Sequence, residues 1–333
     1  MHDASCNGLS FTMQSFKNLS ASFEAQFDKR HFPAEPKNLY DAAQYILQIA
    51  GKRVRPVAVL MGNELFSDID ADAYQVANAI ELFHNFSLIH DDIMDKAPLR
   101  RGLATVHMQY GDSSALLAGD VMLVAAYEYL SKIKGDHLPA VLQLFNRTAK
   151  EVCEGQQLDM NFEQLPVVSQ EEYVHMITLK TSVLLAASLR LGAILGGASL
   201  GNQDLIYEFG KNLGIAFQVQ DDYLDCFGDP QKFGKQIGGD ILSNKKTFLM
   251  IHAMEVANED QRAQLELLSS NNDGDKVARV LQIFRDCKAD AWANELKDKY
   301  YQLAIQNLED IAVLNSRKDE LKQLAMYLLQ RES

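Results

Sequence analysis

The chain has 333 residues, 47% of them apolar and 23% charged, enough to bury a large core in one big domain or two. A net charge of −13 argues against nucleic acid as a partner, because phosphate backbones are bound by basic surfaces. Cys6, Cys153, Cys226 and Cys287 lack metal-ligand or disulfide-framework spacing, which predicts reduced thiols in a cytoplasmic protein and no zinc site.

The first run with helical period is Leu39–Ile49, followed at once by Gly51-Lys52-Arg53-Val54-Arg55-Pro56. Three cations in four residues of an acidic protein are either solvated surface or an anion site. A second apolar run, through Leu82, Phe83, Phe86, Leu88 and Ile89, leads into Asp91-Asp92-Ile93-Met94-Asp95. His84 lies two helical turns before Asp91 on nearly the same face. It could reach an anion beside the acidic row or be a satisfied core histidine. Arg100-Arg101-Gly102 follows the row closely.

Residues Ala115–Leu130, Val141–Val152 and Val174–Leu191 continue the three-and-four apolar pattern of buried helices. Lys180-Thr181 interrupts the third of these. Among Ile177, Leu179, Val183, Leu184 and Leu185, a lysine either snorkels outward or faces a buried anion. The most apolar stretch, from Thr181 to Leu200, is broken by Arg190, and no basic-then-apolar leader opens the sequence; neither a membrane span nor a signal peptide is expected.

The run Leu205–Leu224 enters a second acidic string, Asp221-Asp222-Tyr223-Leu224-Asp225, through Leu213, Ile215, Ala216, Phe217 and Val219. Gln218 precedes the three aspartates by three, four and seven residues and shares their face. Next come Phe233-Gly234-Lys235-Gln236-Ile237-Gly238-Gly239-Asp240, whose glycines would let a loop fold over a phosphate, and Lys245-Lys246-Thr247. No proline follows Pro230, and the remainder reads as further helices, the last over Tyr301–Leu329. With no linker, repeat or clear boundary, the expectation is one all-α domain over residues 1–333, to which residues 1–35 contribute little pattern.

Two near-identical acidic strings carry more information than either alone. Residues four apart on a helix are about 40° and about 6 Å apart, so Asp91 and Asp95 line one face, as do Asp221 and Asp225. One such row is ordinarily a wet helix face. Here apolar flanks predict burial of both helices, and buried carboxylates are costly unless paired or metal-bound. Carboxylates alone would repel a diphosphate, and cations alone would not need the acidic rows. Together they describe a magnesium-diphosphate site.

The ordered motifs Gly-Lys-Arg-x-Arg-Pro, His-x5-His-Asp-Asp-x-x-Asp, Leu-Arg-Arg-Gly, Gly-Gln-x-x-Asp, Lys-Thr, Phe-Gln-x-Gln-Asp-Asp-x-x-Asp, Gly-Lys and Lys-x-Thr run from Gly51 to Thr247. In that order they resemble the trans-isoprenyl (polyprenyl) diphosphate synthases. The resemblance implies head-to-tail prenyl transfer from an allylic diphosphate to isopentenyl diphosphate, in a helical bundle with a deep central cavity, built as a homodimer. It implies that Asp91, Asp95 and Asp221 coordinate three Mg2+ ions, supported by Asp92, Asp222 and Asp225. Lys180, Thr181, Gln218, Lys235, Lys245 and Arg100 would contact the allylic diphosphate, and Lys52, Arg55, His84 and Arg101 the isopentenyl diphosphate. Gln156 and Asp159 would stand behind the first site. Phe86 and Ser87 occupy the family's chain-length floor in a pattern resembling enzymes that stop at geranylgeranyl diphosphate. Ala50 and Phe248 depart from the family's common glycine and proline without changing a charge.

Farnesyl or longer products remain alternatives. A terpene cyclase would also be all-α, with a different second metal motif and no need of the Lys52, Arg55 and His84 pocket. A non-catalytic regulatory subunit would be expected to lose one carboxylate row or the cations. A four-helix metal-carboxylate oxidase would need Glu-x-x-His pairs, absent at either string.

Overall fold

A computed structural model of the chain describes residues 13–49, 51–228, 237–270 and 274–330. It is helical throughout apart from one two-stranded ladder. The chain divides into two compact units.

The first unit comprises Met1–Gly135, Leu191–Asn202 and Ile311–Leu324. It holds α1 (Phe16–Phe27), α2 (Lys37–Gln48), α3 (Val54–Glu64), α4 (Ala71–Met94), the short α5 (Val106–Tyr110) and α6 (Asp112–Leu130). Asp70 caps α4 by accepting the Asp72 N–H, and Val76, Ile80, Leu82, Phe83 and Ile89 bury its apolar face. Its main neighbour is α6, where Gly119 leaves room for the His90 ring: a β-carbon there would lie 2.3 Å from Nε2. Such close helix approach fixes where the end of α4 sits, and that end carries the first acidic string.

Past α4, strands β1 (Leu99–Arg100) and β2 (Leu103–Ala104) pair antiparallel. The turn between them places Arg101 at φ 52° and Gly102 at φ 80°. Two positive φ values in a two-residue loop are the type I′ pattern that matches strand twist, and glycine meets it without cost. The Arg-Arg-Gly string is therefore a hairpin that turns two guanidiniums back toward the unit.

The second unit comprises Asp136–Arg190, Gln203–Asp310 and Ala325–Ser333. Its long helix α7 (Leu138–Gln164) leads to α8 (Gln170–Ile177), whose start carries a reciprocal Ser169 and Glu172 capping box. A π-helical turn, Thr178–Ser182, joins α8 to α9 (Val183–Leu195), and α10 (Leu200–Phe227) follows. The unit's core gathers Phe248, Leu249, Ile283 and Phe284 against Ile215 and Val219 of α10 and Tyr173, Met176 and Ile177 of α8. That core backs the helix carrying the second acidic string.

One expectation needs adjustment. The run Tyr301–Leu329 is two helices, Ala289–Asp310 and Asn315–Leu329, because the apolar period continues across a polar break that the backbone does not follow. The stretch Gln170–Leu195 is long and apolar enough to cross a membrane, but most of it is buried inside the protein, as for a core helix.

Candidate active site

The first unit gathers cations around the end of α4. Arg100 donates to Asp92 through Nε and Nη2, both at 2.8 Å, and Nη2 lies 3.3 Å from Asp91 Oδ2. Burial raises the Asp92 carboxyl above its ordinary range, against the Arg100 hydrogen bonds. Asp92 is 2% exposed, whereas the Asp91 side chain keeps 22% exposure and Asp95 is exposed. The middle carboxylate is thus consumed inside the protein, whereas Asp91 is partly open to solvent and Asp95 exposed.

A second basic cluster surrounds His84. Arg55 Nη1 lies 3.2 Å from His84 Nε2; a guanidinium only donates, so Nε2 accepts and the ring proton sits on Nδ1. Burial, then the charges of Arg55, Arg101, Arg100 and Arg53, push His84 well below the ordinary histidine range. Burial and the neighbouring Arg100 lower Arg101 as well. Gly51 accommodates the Arg101 guanidinium, since a β-carbon would come within 2.5 Å of Nη1. Arg53, by contrast, pairs with buried Glu81 and donates to Leu47 O at 2.8 Å. Of the three cations in the Gly51–Pro56 string, Arg53 serves the fold, Lys52 is exposed and Arg55 joins the cluster at His84. Phe86 lies among rings, 5.5 Å from Phe83 and 4.7 Å from His90, and Ser87 Oγ donates to the His84 carbonyl.

In the second unit, Lys180 sits in the π-turn and faces an anion: its Nζ lies 2.5 Å from Asp159 Oδ2. Gly155 makes this possible, because a β-carbon there would lie 2.2 Å from the Lys180 backbone nitrogen. One turn later on the same face, Asp159 reaches the ammonium. Gln156, next to that glycine, has a buried Nε2 with no partner among the described residues.

The second acidic string repeats the logic of the first with different donors. Asp222 is 4% exposed; its Oδ2 accepts the Tyr173 hydroxyl at 2.5 Å and its Oδ1 accepts Gln218 Nε2 at 2.9 Å. Thr181 Oγ1 donates to Gln218 Oε1 at 3.4 Å. Burial and the charge of Asp240 push Asp222 well above the carboxylate range, opposed by Tyr173 and Gln218. Asp225 anchors the following loop: its Oδ2 accepts the Asp240 N–H at 3.0 Å and its carbonyl the Gly238 N–H at 2.7 Å. Asp240 in turn holds Lys245, accepting its backbone N–H at 2.9 Å with Nζ 3.9 Å from Oδ1. Asp221 is half-buried beside them. Lys235 and Ala50 lie outside the described residues.

Among the described residues, no three or more His, Cys, Asp and Glu side chains form a metal cage. The donor set still suits magnesium, which commonly takes one or two carboxylates and completes its shell with water and substrate phosphate. Both strings also lie at helix C-termini, where the partial negative charge of the backbone disfavours more carboxylates unless cations offset them. Sequence reasoning missed Tyr173 and Asp240; each has a motif nearby, but its partner is fixed only by packing.

A helical chain with two acidic strings and separate basic clusters has the makings of a diphosphate-binding protein. The chain belongs to the polyprenyl synthetase family, whose model matches residues 36–287. It is similar to a short chain isoprenyl diphosphate synthase of Methanothermobacter thermautotrophicus, 37% identical over 299 residues, covering 89% of this chain and 91% of that protein. The geranylgeranyl diphosphate synthase of Saccharolobus solfataricus is 38% identical over 302 residues, with coverage of 89% and 91%. A crystal structure of a geranylgeranyl pyrophosphate synthase matches with a TM-score of 0.90 and 40% identity, covering 96% of this chain and 100% of that one.

Proposed function

We propose that the chain condenses isopentenyl diphosphate with an allylic diphosphate, with geranylgeranyl diphosphate as product, and that its two units act as one isoprenoid-synthase domain. The observation that carries this reading is the repeated arrangement in which the inner carboxylate of each string, Asp92 or Asp222, is locked by protein donors. Asp91, Asp95 and Asp221 would then hold Mg2+, three ions in all, on the allylic diphosphate. When bound, those ions withdraw electron density from the leaving diphosphate.

By the resemblance of their motifs, Lys180, Thr181, Gln218, Lys245, Arg100 and Lys235 would contact that diphosphate. A unit-charge pair at 4 Å gives about 4 kcal/mol at an effective dielectric near 20, whereas enzymatic acceleration requires about 8 kcal/mol or more. Several cations are therefore needed where charge develops as the allylic carbon–oxygen bond breaks. Arg55, Arg101, Lys52 and His84 hold the second diphosphate without metal. The double bond of isopentenyl diphosphate attacks the allylic cation, and a proton passes to the departing diphosphate to leave an allylic product.

The geranylgeranyl assignment rests on Phe86 and Ser87 and on the relatives' names. A homodimer is supported by α6, which exposes Leu116, Leu117, Val124 and Tyr127; a second copy covering that face would bury an otherwise unusual apolar surface. The reduced-thiol reading favours the cytoplasm. A terpene cyclase is disfavoured by the basic cluster at His84, which it would not need, and a regulatory subunit by the presence of both carboxylate rows. The decisive experiment incubates the purified chain and Mg2+ with dimethylallyl, geranyl or farnesyl diphosphate, with and without isopentenyl diphosphate. Twenty-carbon product that requires isopentenyl diphosphate supports the proposal. Hydrocarbon from an allylic substrate alone would favour the cyclase, and no turnover would favour the regulatory subunit.

A further inference from the structure

We infer that Tyr173 is a positioning residue for the second aspartate row, fixing Asp222 through its hydroxyl. The inference rests on the metal-diphosphate reading above. The two strings differ in how their inner carboxylates are held. Asp92 is bound by a guanidinium, which orients it and cancels its charge. Asp222 takes uncharged donors on both oxygens, the Tyr173 phenol at 2.5 Å and the Gln218 amide at 2.9 Å.

The phenol is itself packed into the core. Tyr173 is 5% exposed, lies in the core of the second unit and packs against the Phe248 ring at 6.2 Å between centroids. Its helix is fixed at the start by the Ser169 and Glu172 box. Through Asp222 it also sets Gln218, whose carbonyl oxygen receives the Thr181 hydroxyl. One buried hydroxyl thus orders Asp222, Gln218 and Thr181, and with them the face on which Asp221 lies. Removing a hydrogen-bond partner behind a metal ligand set commonly weakens metal binding ten- to hundredfold, because the carboxylates lose their preset direction.

The test measures Mn2+ binding by electron paramagnetic resonance in the presence of inorganic pyrophosphate, for the unaltered chain, Tyr173→Phe and Asp221→Ala. Tyr173→Phe should keep its circular dichroism and bind Mn2+ roughly ten- to hundredfold more weakly, with a parallel rise in the Mg2+ needed for half-maximal turnover. Binding within twofold of the unaltered chain, while Asp221→Ala loses it, would overturn the role of Tyr173. Unchanged binding in Asp221→Ala would instead overturn the metal-site reading itself. Should Tyr173→Phe fail to fold, fluorinated tyrosines placed at position 173 keep the ring and vary only the donor strength. Mn2+ affinity that tracks hydroxyl acidity supports the assignment, and affinity indifferent to it refutes the assignment.

Discussion

Arg100 grips Asp92 with two parallel hydrogen bonds of 2.8 Å; the carboxylate is nearly out of water and the guanidinium partly so, with side-chain exposures of 3% and 21%. The hairpin turn at Arg101 and Gly102 brings the guanidinium back to the helix end. A buried pair of this kind is weak evidence of net stability, but breaking one side of it is costly.

Arg100→Ala should therefore destabilise the fold by about 3–5 kcal/mol, because Asp92 is left buried without a cation. Asp92→Ala added to it should recover part of that loss. Urea unfolding of both single variants and the double variant measures the coupling, and strictly additive losses would contradict it.

His84 gives a pH prediction with a definite sign. An unfolded histidine titrates near 6.5, while burial and then the Arg55, Arg101, Arg100 and Arg53 charges hold the folded group well below that. Below about pH 6.5 the unfolded chain binds a proton that the folded chain does not, so stability falls as pH falls from there toward the folded pKa. His84→Gln should flatten this limb in thermal melts at pH 5 to 7 relative to the unaltered chain; an unchanged slope would contradict the assignment.

Much of this was legible in the sequence, for identifiable reasons. The three-and-four apolar period reports helix faces directly, so the helical class follows from Leu39–Ile49 onward. The spacing of the two acidic strings and Gln218 follows from the helix repeat, and Gln218 does bond Asp222. What the sequence withheld is pairing between elements. Nothing local distinguishes Asp92 from Asp91, since which one is buried depends on where the Arg100 hairpin returns. Lys180 met neither fate as offered: it faces an anion, Asp159, but a partly exposed one, and Gly155 lets the two backbones approach. Phe248 stands where the family commonly has proline, which says nothing of its packing, yet it is fully buried and packs 5.5 Å from the Trp292 ring and beside Tyr173.

Gly155 is accordingly a sharp structural test. A methyl group there would lie 2.2 Å from Lys180 N and 2.6 Å from its Cα, and both atoms are backbone of the π-turn, so neither can swing away. Gly155→Ala should cost on the order of 1–3 kcal/mol or more from overpacking and lower turnover by displacing Lys180. A variant with unchanged melting temperature and rate would show that the approach is looser than these distances.

The outer carboxylates should separate function from folding. Asp91→Ala and Asp221→Ala are each expected to lower kcat/KM for prenyl transfer by on the order of a thousandfold, while unfolding free energy changes little because neither side chain is the locked member of its string. Steady-state assays with isopentenyl and farnesyl diphosphates, paired with denaturation curves, provide the check. Near-normal rates in both variants would remove these residues from the site.

Chain length turns on Phe86 and Ser87, which are adjacent and so point about 100° apart on α4. The Phe86 ring lies against Phe83 and His90, on the helix face that His90 presents to Gly119 of α6, while the Ser87 hydroxyl is turned back onto the His84 carbonyl. If Phe86 stops the growing chain, Phe86→Ala opens a space the size of an aromatic ring and the longest product should gain at least one five-carbon unit. Ser87→Phe adds a ring at the neighbouring position and should shorten the product if that position also borders the chain. Product chromatography of both variants separates the two residues: lengthening in Phe86→Ala with no change in Ser87→Phe assigns the stop to Phe86 alone. An unchanged longest product in Phe86→Ala would remove it from the floor, whatever Ser87→Phe does.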